Sequence, residues 1–154
     1  MGINRVVAKQ YRDKVNQAYH QLGSLSLPPE GWLRTVRRAL GMSGSQLARR
    51  RGVTKSRISR AEQDELTGSV TIKTMRSMAE AMNCRFVYAV VPDREIEEMI
   101  KKRAVQKARE QVKSASTHMA LEAQTLSDDQ LSFEIDRLAS EIVEKMPSDL
   151  WSDA

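Results

Sequence analysis

The sequence predicts a mostly α-helical fold with one short strand set among the helices. Three observations carry this. Apolar residues recur at three- and four-residue steps over most of the chain, the period of a helix with one buried face. Glycine, proline and hydroxyl-bearing cap residues interrupt that period, cutting it into short helices. One run alone, "CRFVYAVVP" from Cys84 to Pro92, abandons the period for consecutive β-branched and aromatic residues.

The first element is an amphipathic helix over residues 3–22, marked by Ile3, Val7, Tyr11, Val15, Ala18 and Leu22. Gly23 with Ser24 ends it, and Pro28-Pro29 blocks continuation. Four short helices follow between Trp32 and Met82. Trp32, Leu33, Val36 and Leu40 mark one that stops at Gly41, with Trp32 as a core anchor. Ser43 and Gln46 form a capping box that opens the next, whose inward residues are Leu47 and Ala48. Gly52 closes it, Val53 packs under the turn, and Thr54 caps a third helix with Ile58 and Ala61 inward. Ile72, Met75, Met78, Ala79 and Met82 define the fourth, its methionines filling core.

A lone strand over 84–92 leaves its backbone groups unpaired, and the sequence offers no second one. The simplest partner is the same strand of a second copy, antiparallel across a two-fold axis, with Phe86, Val87, Tyr88 and Val90 as dimerisation residues. A buried continuation of the preceding helix is the alternative, and Cys84 is expected to be a packing residue. From Asp93 the helical period returns at Ile96, Met99, Ile100, Ala104 and Ala108, then weakens in "SASTHMALEAQTL". Ser127 with Gln130 is a second capping box, opening a final helix along Leu131, Ile135, Leu138, Ile142 and Met146. Two heptads are too few for a free-standing coiled coil, so this helix should pack on the rest of the dimer. The expected organisation is therefore 1–30 helix and linker, 31–83 central helical domain, 84–92 dimerisation strand and 93–154 helical extension.

Charge is unevenly distributed. Gly31 to Arg60 holds nine Lys or Arg and no Asp or Glu, while Leu121 to the end holds nine acids against Arg137 and Lys145. A basic block without counter-charges repels itself and makes sense opposite a polyanion. Other functions find little support. A single cysteine and two distant histidines give neither a disulfide nor metal-ligand spacing. Aromatic residues at 5% cannot build a stacking platform for single strands. No nucleophile–base signature or phosphate-cradling glycine loop occurs, so neither catalysis nor a cofactor is expected. With no leader and no long apolar run, a cytoplasmic protein without a membrane partner is expected.

The basic block contains two helices joined by a tight glycine turn, with small Ala48 at their crossing and Val53 and Ile58 fixing the angle: a helix-turn-helix. Placing Ile58 inward directs Lys55, Ser56, Arg57, Ser59 and Arg60 outward. The stretch "GMSGSQLARRRGVTKSRISRAEQ" resembles the lambda-repressor-like (XRE/Cro) helix-turn-helix family, matching its Gln, Leu-Ala, Gly-Val-Thr, Ile-Ser and Glu at the same spacings. The resemblance implies a lambda-repressor-like domain, here with N-terminal and C-terminal helical extensions and one short strand pairing across a dimer. It also implies roles. Gln46 would bond a phosphate; Lys55, Ser56 and Arg60 would meet base edges in the major groove; Thr54, Arg57 and Ser59 would contact backbone or edges; Arg49, Arg50 and Arg51 would clamp phosphates. Arg and Lys suit guanine, so a GC-containing half-site is expected.

"PPEGWLRTVRRALGMSGSQLA", "AEAMNCRFVYAVVP" and a tail ending in "LW" are further similar to the family called mobile mystery protein A, encoded in mobile bacterial elements beside a Fic-domain protein. That resemblance implies a genetic partner. From the helix-turn-helix and the lone strand, the expected function is a sequence-specific repressor of its own operon, bound to double-stranded DNA at an inverted repeat as a homodimer; the alternative is an antitoxin that binds a Fic-domain partner. "SLPPEG" from Ser26 to Gly31 resembles the Ser-x-x-x-Glu-Gly motif that inhibits Fic enzymes, but Pro28-Pro29 argues against the helix that motif needs.

Overall fold

The computed structural model of the protein describes residues 4–121 and 127–153. Ile3 and residues 122–126 of the weak-signal segment lie outside them. The described residues form seven α-helices: α1 (Arg5–Leu22), α2 (Trp32–Ala39), α3 (Gly44–Arg51), α4 (Lys55–Thr67), α5 (Ile72–Ala81), α6 (Ile96–Leu121) and α7 (Asp128–Lys145). They divide into two units, Ser24–Ala89 and the remaining described residues on either side of it in sequence.

The central unit holds α2 to α5. Its core joins Leu33 of α2, Leu47 and Ala48 of α3, Ile58 and Ala61 of α4, and Met75, Met78 and Met82 of the α5 region. Each large side chain among these contributes about 1.5–3 kcal/mol by leaving water, so the unit rests on this cluster. Trp32, expected as a core anchor, is 37% exposed at the rim; Leu33 beside it takes the buried place. Two carboxylates of α4 tie down α2. Gly31, at φ 84°, supplies no side-chain cap to α2, and Glu65 does so instead: its Oε2 accepts from Trp32 N (2.6 Å) and its Oε1 from Leu33 N (2.9 Å). Glu62 accepts from Arg37 Nε (2.6 Å) and Nη2 (3.2 Å), while Arg37 Nη1 reaches the Met42 carbonyl (3.0 Å).

Helix α5 ends where Asn83 adopts a left-handed φ of 58° and Cys84 N bonds Ala79 O (2.8 Å). Residues 84–92 are therefore not a continuation of the helix. They leave it as non-helical chain, with Phe86 and Tyr88 stacked at 5.9 Å on one side, as alternate residues of an extended segment should be. The burial expected there is absent in this protomer: Cys84, Val87, Tyr88 and Val90 are exposed, Val90 at 90%. A strand needs a ladder, and no described segment of the same chain supplies one.

The other unit is an α6–α7 pair joined by α1. Ala104 and Ala108 of α6 are wholly buried against Ala139 and Ile142 of α7, with Ile135 and Leu138 alongside. The last helix thus packs on α6 of its own chain. Helix α6 runs further than the sequence signals indicated, continuing through "SASTHMAL". Val112 extends its buried stripe, and Thr117 satisfies its hydroxyl within the helix by donating to Lys113 O (2.9 Å). Beyond α7, Leu150 is buried, held by Arg103 Nε on its carbonyl (2.6 Å).

Helix α1 joins this unit through polar groups. Asn16, its one buried residue, accepts from Ile96 N (2.8 Å) and donates to Glu97 Oε2 (2.8 Å), capping α6 from outside. Arg12 pairs with Glu97 (3.5 Å) and His20 meets Glu95. The apolar stripe read from the sequence is only partly covered, since Val7 and Tyr11 stay exposed.

Candidate nucleic-acid interface

The interface begins with two helix caps. Ser43 Oγ accepts from Gln46 N (3.1 Å) and Gln46 Oε1 accepts from Ser43 N (2.8 Å), closing the capping box expected from the sequence. At the far end of α3, Gly52 sits at φ 76°, a conformation that side chains other than glycine resist. Its N–H and that of Val53 both bond Ala48 O (2.9 Å each), which reverses the chain in a Schellman-type closure. Thr54 then caps α4, its Oγ1 accepting from Arg57 N (3.3 Å). Ile58 and Ala61 turn inward onto Leu47 and Ala48, and this fixes which face of α4 looks out.

All nine residues assigned to DNA contact are exposed: Gln46, Arg49, Arg50, Thr54, Lys55, Ser56, Arg57, Ser59 and Arg60. Four of them carry structural bonds as well, Thr54 through its cap of α4. Gln46 uses its carbonyl oxygen in the cap and keeps its NH₂ donors for another partner. Arg50 Nε bonds Ala81 O (2.6 Å), tying α3 to the end of α5. Arg60 lies 3.9 Å from Asp64, a solvated pair one turn apart that holds the guanidinium weakly.

Sequence reasoning gave no role to the next turn of chain. Arg51, Arg57 and Arg60 line one depression of about 220 Å³ with Ser69, Thr71 and Thr74. Thr71 caps α5 there, its Oγ1 accepting from Thr74 N (3.0 Å). Three guanidinium groups outnumber the one carboxylate of the depression, Asp64, beside a capped helix start. The Thr71-x-x-Thr74 cap was visible in the sequence; its closeness to the arginines of α4 was not, because it depends on the chain's path through Gly68.

Electrostatics separates the structural arginine from those facing out. Arg37 is mostly covered, and its hydrogen bonds to the Glu62 carboxylate raise its pKa above the ordinary guanidinium value against the opposing effect of burial. It fastens α2 to α4. Arg34 and Arg38 instead pair with Glu30 at 3.9 and 3.4 Å on the surface.

Residues 33–88 match the family model described as Helix-turn-helix. No curated protein and no solved structure matches the chain. No helix among the described residues is long and apolar enough to cross a membrane. The match spans 56 of the 154 residues and supports a helix-turn-helix domain of the lambda-repressor-like kind over α2 to α5, a domain type that suggests DNA binding.

Proposed function

We propose that the protein is a sequence-specific transcriptional regulator that binds an inverted-repeat operator as a homodimer and represses its own operon. The observation that carries this is the outward face of α4, where Lys55, Ser56, Arg57, Ser59 and Arg60 all stand exposed behind a fixed turn. In this reading α4 enters the major groove, Lys55, Ser56 and Arg60 read base edges, and Thr54, Arg57 and Ser59 contact edges or backbone. Gln46, Arg49 and Arg50 hold phosphates. Two such helices, one per protomer, meet successive major grooves about 34 Å apart. The dimer forms where the segment 84–92 of each copy pairs with the other through Phe86, Val87, Tyr88 and Val90; the exposure of Val87, Tyr88 and Val90 supports this, while Phe86 is partly buried against the core of its own protomer. The test is a gel shift with the chain's own upstream region against a scrambled duplex at low salt; equal binding of the two ends the proposal.

A second role, neutralising a Fic-domain protein encoded nearby, as the likeness to mobile mystery protein A implies, is favoured by α1. Val6, Val7 and Tyr11 form an exposed apolar stretch open to a protein partner. Co-expression with a neighbouring Fic-domain protein should then yield a complex that survives gel filtration at micromolar concentration. Separate elution removes this role.

A further inference from the structure

Helix α6 carries cations in two different circumstances. Arg103 and Lys107 have side chains only 14% exposed and are neutralised by the end of the chain: Arg103 lies 4.0 Å from Asp153 and bonds Ser152 O (2.8 Å), and Lys107 lies 3.8 Å from Asp149. Lys101, Lys102, Arg109 and Lys113 stand exposed, and no carboxylate of the described residues lies within 4.0 Å of any of their charged nitrogens. Several acids of the same unit are engaged elsewhere, while Glu98 and Glu110 of α6 stand exposed beside the row without an ion pair among the described residues. Glu134 and Glu141 bind Arg137 and Lys145, and Glu97 binds Arg12 and Asn16.

The exposed cations also share a line. Lys102, Arg109 and Lys113 are seven and four residues apart, which places them on one helix face, with Lys101 beside the first. Lys101, Lys102 and Arg109 line one shallow depression, and Arg109 and Lys113 line the next. The row is about 16 Å long at the rise of an α-helix. A DNA strand presents a phosphate about every 3.4 Å of axis, so several fall within that length.

We propose that Lys101, Lys102, Arg109 and Lys113 of α6 form a second, sequence-independent contact to duplex DNA, gripping phosphates that flank the operator. This rests on the DNA-binding reading of the central domain and adds to it a site in the other unit. Val105 and Gln106 between the cations offer no aromatic anchor, and the apolar Leu131 and Ile135 beside Arg109 and Lys113 are partly buried rather than projecting. Phosphate binding needs only the cations.

The experiment uses the full chain and two duplexes: an operator selected from random sequence, and the same operator extended by about ten base pairs on each side, one helical turn. The wild type should bind the extended duplex more tightly. A variant with Lys101→Gln, Lys102→Gln, Arg109→Gln and Lys113→Gln should lose that gain. Its slope of log K against log salt should become shallower by about 0.9 for each phosphate contact removed. Lys102→Glu with Arg109→Glu should weaken the extended duplex further while leaving base preference unchanged. An unchanged slope and an unchanged gain from the flanks, in variants that melt as the wild type does, would overturn the proposal, whether the row is a solvated face or serves an acidic protein. If the wild type itself binds no duplex at low salt, the reading of the central domain falls first and this one with it.

Discussion

Arg37 and Glu62 face each other across α2 and α4 in a two-pronged pair, Nε to Oε1 at 2.6 Å and Nη2 to Oε2 at 3.2 Å, with side chains only 14% and 12% exposed. The pair sits two residues beyond Arg60 and holds α4 against α2, so it sets the attitude of the exposed face without being part of it. Removing either partner leaves a covered charge with hydrogen bonds unmade. Arg37→Ala or Glu62→Ala should cost about 1.5–3 kcal/mol in urea unfolding. Arg37→Lys should recover little, because an ammonium cannot present the same fork. A double mutant costing the sum of the two single mutants would show the pair to be uncoupled.

Glu65 should matter to stability and not to recognition. Its carboxylate replaces the side-chain cap that Gly31 cannot give α2. Glu65→Ala should cost about 0.5–2 kcal/mol, the range of a lost N-cap. Gly31→Ala should be worse than a helix propensity scale suggests: its backbone lies at φ 84°, and a Cβ there would meet Glu65 Cδ at 2.9 Å. Chemical denaturation of both variants checks this, and a neutral result for Gly31→Ala would mean that the Glu65 carboxylate moves aside freely.

Much of the central unit could be read from the sequence because its signals are local. Ser43 with Gln46, Thr54 and Gly52 each act on residues within one or two turns, and each appears where its spacing placed it. The roles of Glu62 and Glu65 could not be read in this way. Both are ordinary acids of an exposed-looking helix until the fold brings α2 across α4, and nothing local distinguishes them from Asp64. Periodicity also overstated burial. The stripe of α1 has the right spacing, yet it meets α6 through Asn16 and leaves Tyr11 exposed. Conversely, "SASTHMAL" shows little apolar periodicity, yet its Ala115, Met119, Ala120 and Leu121 are good helix formers and the helix runs through it.

Recognition and clamping should separate by substitution. In the proposed regulator, Lys55→Ala or Arg60→Ala should weaken binding by about 1–3 kcal/mol and relax preference at one base position. Arg49→Ala should weaken all duplexes alike and reduce the salt slope by about 1. Arg49 is a cleaner probe than Arg50, whose bond to Ala81 O makes its loss structural as well. Random-sequence selection with each variant is the measurement; unchanged sequence preference for Arg60→Ala would remove it from the reading face.

The junction of α1 and α6 should be sensitive to acid. Asn16's hydrogen bond lowers the Glu97 pKa below the ordinary carboxylate value, and Arg12 adds to this against the effect of burial. A carboxylate whose pKa is depressed in the folded state stabilises the fold above its unfolded pKa, and this contribution is lost as pH falls through the folded value. Thermal melting from neutral pH to about pH 3 should therefore show an acid-side loss in the wild type that Glu97→Gln lacks. Asn16→Ala should shrink the loss, since it removes the largest cause of the depression. Because Glu97 is half exposed, the effect should be modest and should shrink with added salt.

The proposed dimer makes the sharpest demand on residues 84–92. Among the described residues no backbone N–H from Arg85 to Val91 bonds to another backbone group, and the apolar side chains Val87, Tyr88 and Val90 remain exposed. Such an edge is a template for another strand. Val87→Pro removes a donor and obstructs a ladder while its side chain contributes little to the core of the protomer. It should leave the helical content and melting of the central unit near those of the wild type yet convert a dimer to a monomer in sedimentation. It should also weaken binding to the two-site operator far more than to a single half-site, because the second recognition helix would no longer arrive tethered. A Val87→Pro chain that sediments as the wild type does would place the two-fold contact elsewhere, and the exposed face of α1 would be the next surface to substitute.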